Sequence, residues 1–344
     1  MVLADKHISE SPHVLLDLLC GMMRTQAIHH AARLGIAELV KDGPKSIFEL
    51  AEATGTHAPS LSRLLRALAS IDIFTEVAPE CFAQTSLSSF LLPDVPGSMY
   101  PIALLHGDDW QWHVWEGFAS SLQTGQPAFR KLFGTDMWQY FAQENPAAGQ
   151  RFQDAMTGLS EQVNKAIATA TYDFASVDTI VDVGGGEGTL LETLLTVHPT
   201  IRQGILFDHP SVIAKAQARL ATSRFADRYA FESGDFFKDV LPAADVYLMK
   251  QIIKDWNDEE CIQVLSNCRR SMKPGGRVLV VEIVLLPGKG TSQEKFIDLQ
   301  LMALLPGQER YGAQFRRLFE AAEFRLTNII PTASPYSILE GVAV

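Results

Sequence analysis

The chain is poor in cysteine, in cationic residues and in long apolar runs, and each shortage removes a class of protein. Its four cysteines, Cys20, Cys81, Cys261 and Cys268, form no CxxC pair, so a zinc knuckle, a redox dithiol and a disulfide scaffold all lack support. We expect reduced thiols and no metal. Lys and Arg total 29 against 40 Asp and Glu, a net charge of −11 over 344 residues, and that field repels phosphate backbones. Nucleic acid is not an expected partner. No stretch of about 18 uninterrupted apolar residues occurs, and the opening MVLADKHISESPHV has no basic segment leading into an apolar run. This pattern suits a cytoplasmic protein that does not engage a membrane. Histidine is absent from the C-terminal part, the last of nine being His209.

What is present is 47% hydrophobic and 20% charged residues, the balance of a globular protein whose length suits a large α/β domain plus a smaller helical one. Residues 13 to 40 place Leu15, Leu18, Leu19, Met22, Ile28, Ala32, Leu34, Ile36 and Leu39 at helical spacing, making an apolar face that is either core or a dimer seam. The following SIFELAEATGTHAPSLSRLLRALASIDIF has the outline of a winged helix-turn-helix. Its Lys45, Arg63 and Arg66 stand against Glu49, Glu52, Asp72 and Glu76, so it reads as a packing or dimerisation module and not a DNA reader. His29 and His30 read as packing residues in an apolar helix.

Residues 101–171 form a helical, aromatic-rich segment holding four of the five tryptophans. These rings are either helix-packing core or the wall of an apolar pocket. His106 and His113, seven residues apart, could share a helix face there, without a carboxylate or cysteine partner for a metal. From 172 onward, short β-branched runs (TIVDV, GILFD, YAFESGD, DVYLM, RVLVVEIVLL) alternate with amphipathic stretches. That alternation predicts a Rossmann-like, doubly wound α/β sheet of seven mostly parallel strands over 172–344. Residues 1–100 would form the winged-helix-like dimerisation domain.

The strongest local signal is TIVDVGGGEGTLLETLL, a strand running through Gly184, Gly185, Gly186 and Gly188 into a helix. A dinucleotide fingerprint would need glycine where Thr189 stands. The shorter spacing suits a ligand without a phosphate, such as S-adenosylmethionine. Asp208, ending the second strand, is placed to accept hydrogen bonds from ribose hydroxyls. Asp235 in SGDFF follows the third strand and could hold an adenine edge, with Phe236 on the ring face.

The order of the winged-helix module, VDVGGGEG, FDHPSVI, SGDFF, KQIIKDWNDEECIQVLSNC, KPGGRVLVVEIVL and PGQERYGAQF resembles the dimeric small-molecule O-methyltransferases of plant caffeate and flavonoid type and bacterial natural-product tailoring. The resemblance implies the class I methyltransferase fold, a homodimer and S-adenosylmethionine as cofactor. It places cofactor contacts at Gly184, Gly186, Asp208, Asp235, Phe236 and Lys250. Substrate contacts would fall at Phe152, Gln153, Met156, Asp255, Trp256 and Leu301, where a methionine is expected at the last. The catalytic position, a histidine in the family, is Lys254, flanked by the implied Glu282 and Glu309.

An ordinary lysine has a pKa near 10.4 and is a poor proton acceptor, and two carboxylates beside it favour its charged form further. Lys254 is therefore expected to stabilise an acceptor anion while Glu282, Glu309 or His106 takes the proton. The alternative is a cofactor-binding cyclase, isomerase or dehydratase in which Lys254 polarises a carbonyl, or a subunit that has lost catalysis. Asp255 and Asp258 are read as capping the helix that follows, with Asp255 also within reach of a substrate hydroxyl.

Overall fold

The computed structural model describes residues 11–288 and 293–344. Two compact units divide the chain, one comprising residues up to His113 with Asn145–Gly158, the other Val114–Glu144 with Leu159–Val344. Their boundaries fall within the aromatic-rich segment 101–171.

The first unit carries the winged-helix outline. Helix Ile47–Thr54 starts at Ser46, whose hydroxyl accepts from the Glu49 N–H while the Glu49 carboxylate accepts from the Ser46 N–H, so each orphan donor is satisfied. It ends at Gly55, whose φ of 63° closes the helix in the left-handed region. Helix Ala58–Ala69 follows, then a three-stranded sheet of β1 (Lys45–Ser46), β2 (Phe74–Ala78) and β3 (Cys81–Gln84) in the order β1-β3-β2. Ile36, Ile47, Leu50, Leu65, Leu68, Phe74 and Phe82 form its core, each contributing roughly 1.5–3 kcal/mol by leaving water. Helices Pro12–Leu19 and Gly21–Arg33 leave Leu15, Leu16, Leu18, Leu19, Met22 and Met23 exposed, so in a single chain this apolar stripe is surface. His29 is buried and its Nδ1 lies 3.1 Å from the Ala103 carbonyl oxygen, a packing role. His106 ends helix Tyr100–His106 and His113 lies on the separate helix Asp109–Glu116. The break at Gly107 and Asp108 denies them a shared helix face.

The second unit is built on β4 (Thr179–Val183), β5 (Gln203–Asp208), β6 (Tyr229–Ser233), β7 (Val246–Lys250), β8 (Arg277–Leu285), β9 (Arg310–Tyr311), β10 (Phe324–Pro331) and β11 (Tyr336–Ala343). Along the sheet the order is β10-β11-β8-β7-β4-β5-β6, and β9 pairs with the end of β8. The five runs read as strands in the sequence become β4 to β8, joined in parallel, and β10 and β11 add an antiparallel edge. Helices cover both faces, giving two cores: Val181, Tyr247, Val280 and Phe315 on one side, Ile180, Leu191, Leu248 and Leu279 on the other. Strand order reverses where β4 meets β7 and β5 on its two sides, and ligands of open α/β sheets bind at the carboxyl ends of strands flanking such a point. Among the described residues, no helix is long and apolar enough to cross a membrane.

Candidate active site

The glycine loop leaves the carboxyl end of β4. The Gly184 N–H donates to the Phe207 carbonyl at 2.8 Å, which ties the loop to β5. Gly184 has φ of 68°, and a Cβ there would come 2.5 Å from Ile252 Cδ1; a Cβ on Gly185 would come equally close to the Asp182 carboxyl carbon. Side chains would fill the cradle, so glycine keeps it open. Asp208, at the end of β5, accepts from the Gly186 N–H at 2.9 Å and the His209 N–H at 2.6 Å, one on each oxygen. Burial pushes its pKa up while those N–H donors pull it down, and each oxygen keeps a lone pair for a ligand hydroxyl. Beneath the loop Asp182 is buried, with Oδ2 lacking a partner among the described residues. Burial pushes its carboxyl up to about 7, against the pull of Lys250.

Asp235 is engaged in its own turn, accepting from the Phe237 N–H at 2.9 Å and from the Lys238 ammonium at 2.8 Å. The rings of Phe236 and Phe237 meet Trp256 edge-on, at centroid distances of 6.1 and 4.7 Å, bringing an expected cofactor contact and an expected substrate contact into one aromatic cluster.

Lys254 stands between β7 and helix Asp258–Ser271, in the turn Ile253–Asp255. Its backbone N–H donates to Glu282 Oε1 at 3.2 Å, and its ammonium donates to Gln251 Oε1 at 3.0 Å. Gln251 holds a φ of 58°, a conformation that costs a non-glycine residue about 1 kcal/mol or more and recurs at functional sites. Glu282 is fully buried on β8 and Glu309 is buried just before β9; Glu282 Oε2 and both Glu309 carboxylate oxygens lack partners among the described residues. Burial works against the Lys254 charge, but Tyr336, Asp255, Glu282 and Glu309 outweigh it and raise the ammonium above the usual lysine range. Burial, reinforced by Glu309 and Asp255 and opposed by Lys254, pushes Glu282 up to about 8. Burial likewise pushes Glu309 up to about 7 and Asp255 up to about 6. The cluster therefore combines a fixed cation with carboxyls whose protons are exchangeable near neutrality.

Arg310 anchors this corner. Fully buried, it donates to Asp258 Oδ1 at 2.7 Å and to the Ile253 and Trp256 carbonyls at 2.9 Å each. The helix start that we assigned to Asp255 and Asp258 is capped instead by Asn257, in a reciprocal box with Glu260. An amide at that position satisfies the N3 donor, leaving Asp258 for Arg310 and Asp255 half-buried.

The second unit thus gathers Gly184, Gly186, Asp208, Lys250, Phe236, Lys254, Asp255, Trp256, Glu282 and Glu309, with Leu301 buried on helix Gln293–Leu304. Phe152, Gln153 and Met156 lie half-buried on the first part of helix Pro146–Ala168, which belongs to the other unit. Gln251, Asp182, Ser160, Asn164 and Tyr336 escaped sequence reasoning, because isolated polar residues in apolar elements carry no motif. Of these, the acid interrupting the apolar run TIVDV was the one visible signal.

The O-methyltransferase domain family matches residues 115–325, and the O-methyltransferase dimerisation domain matches residues 16–94. The chain belongs to the O-methyltransferase family. This O-methyltransferase is 43% identical over 327 residues to the phenazine O-methyltransferase PhzM of Lysobacter antibioticus, covering 95% of each chain. Its fold superposes with a TM-score of 0.90 on the mitomycin 7-O-methyltransferase MmcR, at 36% identity and covering 96% of this chain and 97% of that one. Against CalO1, a methyltransferase of calicheamicin biosynthesis solved with S-adenosylhomocysteine bound, the TM-score is 0.84 at 36% identity, covering 96% and 98%. All three are named for methyl transfer, which favours that reading of the enzyme over a rearrangement or cyclisation.

Proposed function

We propose that this enzyme methylates a hydroxyl or enol of an aromatic or polyketide-like natural product, working as a homodimer in the cytoplasm. S-adenosylmethionine is the cofactor, and it supplies an electrophilic methyl group on a sulfonium. The glycine cradle and Asp208 fit the ribose of such a ligand. Gly184, Gly186, Asp208, Asp235, Phe236 and Lys250 would hold it, Asp235 through the lone pairs left beside its exposed pairing with Lys238. Support for the dimer comes from the dimerisation domain match and the exposed leucine and methionine stripe.

The observation that carries the reading is the placement of Lys254 beside two buried carboxyls whose outer oxygens have no partner among the described residues. Lys254 stays protonated and stabilises the negative charge that develops on the acceptor oxygen, the role of an oxyanion donor in a dry site. Glu282 accepts the acceptor's proton; with its carboxyl pushed up to about 8, it is a far stronger base than an exposed glutamate. Glu309 shares that proton load and receives a second donor of the acceptor. Within the second unit, Trp256 and Leu301 supply apolar wall for the acceptor, and Asp255 a further hydrogen-bond acceptor.

Purified enzyme with S-adenosylmethionine and a panel of phenols, enols and hydroxylated polyketides tests this directly. A product heavier by one CH2, formed with an equal amount of S-adenosylhomocysteine, is expected. Lys254→Met should lower kcat by about 10²–10³-fold, the usual loss for one oxyanion donor. Turnover at unchanged mass would overturn the assignment in favour of a cyclase or isomerase.

A further inference from the structure

Lys250 ends β7 beside the glycine loop and is held from behind by one helix. Its ammonium donates to Ser160 Oγ and to Asn164 Oδ1, both at 2.9 Å. Ser160 and Asn164 are four apart on helix Pro146–Ala168, so they project from the same face. Asn164 is almost fully buried, and its Nδ2 donates onward to Thr189 Oγ1 at 3.0 Å. Thr189 opens the helix that follows the glycine loop. One amide therefore spans the two elements that flank the cradle, its oxygen on the lysine and its nitrogen on the threonine. An ammonium has three N–H donors. Two are committed, and the third has no partner among the described residues.

We propose that Asn164, assisted by Ser160, is a positioning residue for cofactor affinity: it fixes the Lys250 ammonium against the start of the post-loop helix so that the third N–H meets an acceptor atom of the bound cofactor. Thr189 has an ordinary hydrogen-bonding role at a helix start. A lysine side chain, with its freely rotating stem, loses much of its donor power when unanchored; the buried amide removes that freedom before the ligand arrives. The inference rests on the cofactor reading above.

The charge of Lys250 supports the same role. Burial pulls its pKa down to about 8, with Asp182 on β4 and Glu282 on β8 supporting the cation and Lys254 opposing it. Since the folded pKa lies below the usual value, the ammonium is present at neutral pH and lost as pH rises through about 8. Affinity for a ligand that needs this donor must fall in the same window.

Calorimetric titration of S-adenosylhomocysteine into the full-length enzyme, from about pH 6 to about pH 10 to span the lysine range, tests this without turnover. Wild-type affinity should fall as pH rises through about 8. Asn164→Leu should bind about tenfold more weakly at neutral pH, the size of one lost hydrogen bond to a charged group. Asn164→Asp keeps the acceptor and adds a charge that favours the ammonium, so it should bind near wild-type strength at neutral pH and move the fall to higher pH. If Asn164→Leu does not fold, the displaced midpoint of Asn164→Asp and a weaker Ser160→Ala carry the test. Variants that all bind with the wild-type affinity and midpoint would overturn the positioning role alone. Wild-type enzyme that binds no S-adenosylhomocysteine at any pH would overturn the cofactor reading and this inference with it.

Discussion

Gly307 lies against Lys254 so closely that a Cβ on it would come 1.8 Å from the Lys254 carbonyl oxygen and 2.5 Å from the Asp255 carbonyl carbon. The contact is backbone on backbone, so no side chain can rotate away. It places the Gly307–Arg310 segment, with Glu309, onto the turn that carries Lys254.

Gly307→Ala should therefore push these two segments apart and spoil the carboxylate geometry around Lys254. Overpacking of this kind costs about 1–3 kcal/mol, and a misplaced catalytic group about a hundredfold in rate. Thermal denaturation and steady-state kinetics check it. A variant with lower stability and unchanged kcat would show that the contact serves packing only.

The buried acids give opposite pH slopes to stability and activity. The Glu282 carboxyl is raised from 4.5 to about 8, so the folded chain binds a proton that the unfolded chain has released. That contribution is full below the unfolded value and is lost as pH rises through the folded one. Because Asp182 and Glu309 are each pushed up to about 7, they add to the same slope. Between about pH 5 and 8, Tm should drop, and Glu282→Gln should drop less. Over the same range kcat/KM of the wild-type enzyme should rise toward about pH 8 as Glu282 ionises and becomes a base, and above that it should fall as Lys250 loses its proton. A Tm profile of Glu282→Gln that parallels the wild type would remove the assignment of this slope to Glu282.

Arg310 ties Asp258 to the carbonyls of Ile253 and Trp256. Its side chain is fully buried, while that of Asp258 is 57% exposed, so the loss on removal comes mainly from the two carbonyls, which would keep only the weak thiol donor of Cys261. Arg310→Met should destabilise by about 3 kcal/mol, read by urea denaturation. Arg310→Lys should recover only part, because an ammonium cannot reproduce the planar fork. Full recovery by lysine would mean that charge alone matters.

The sequence by itself determined the sheet and its glycine loop. Apolar β-branched runs of strand length, broken by Gly184 to Gly188, leave few alternatives, and Asp208 at a strand end follows from the same local pattern. Local propensity could also lay out the winged helix, since Ser46, Glu49 and Gly55 punctuate it within ten residues.

Only the tertiary structure decided which polar groups lack partners and which already have them. Asp235 looks like a ligand acid in its motif, and in the fold each of its oxygens already accepts one donor, from the Phe237 N–H and the Lys238 ammonium. Asn164 and Lys250 are 86 positions apart, and Glu282 and Glu309 reach Lys254 from separate elements. Proton affinity depends on burial and on every charge within a few ångströms, and both are set by chain segments that meet only in the fold.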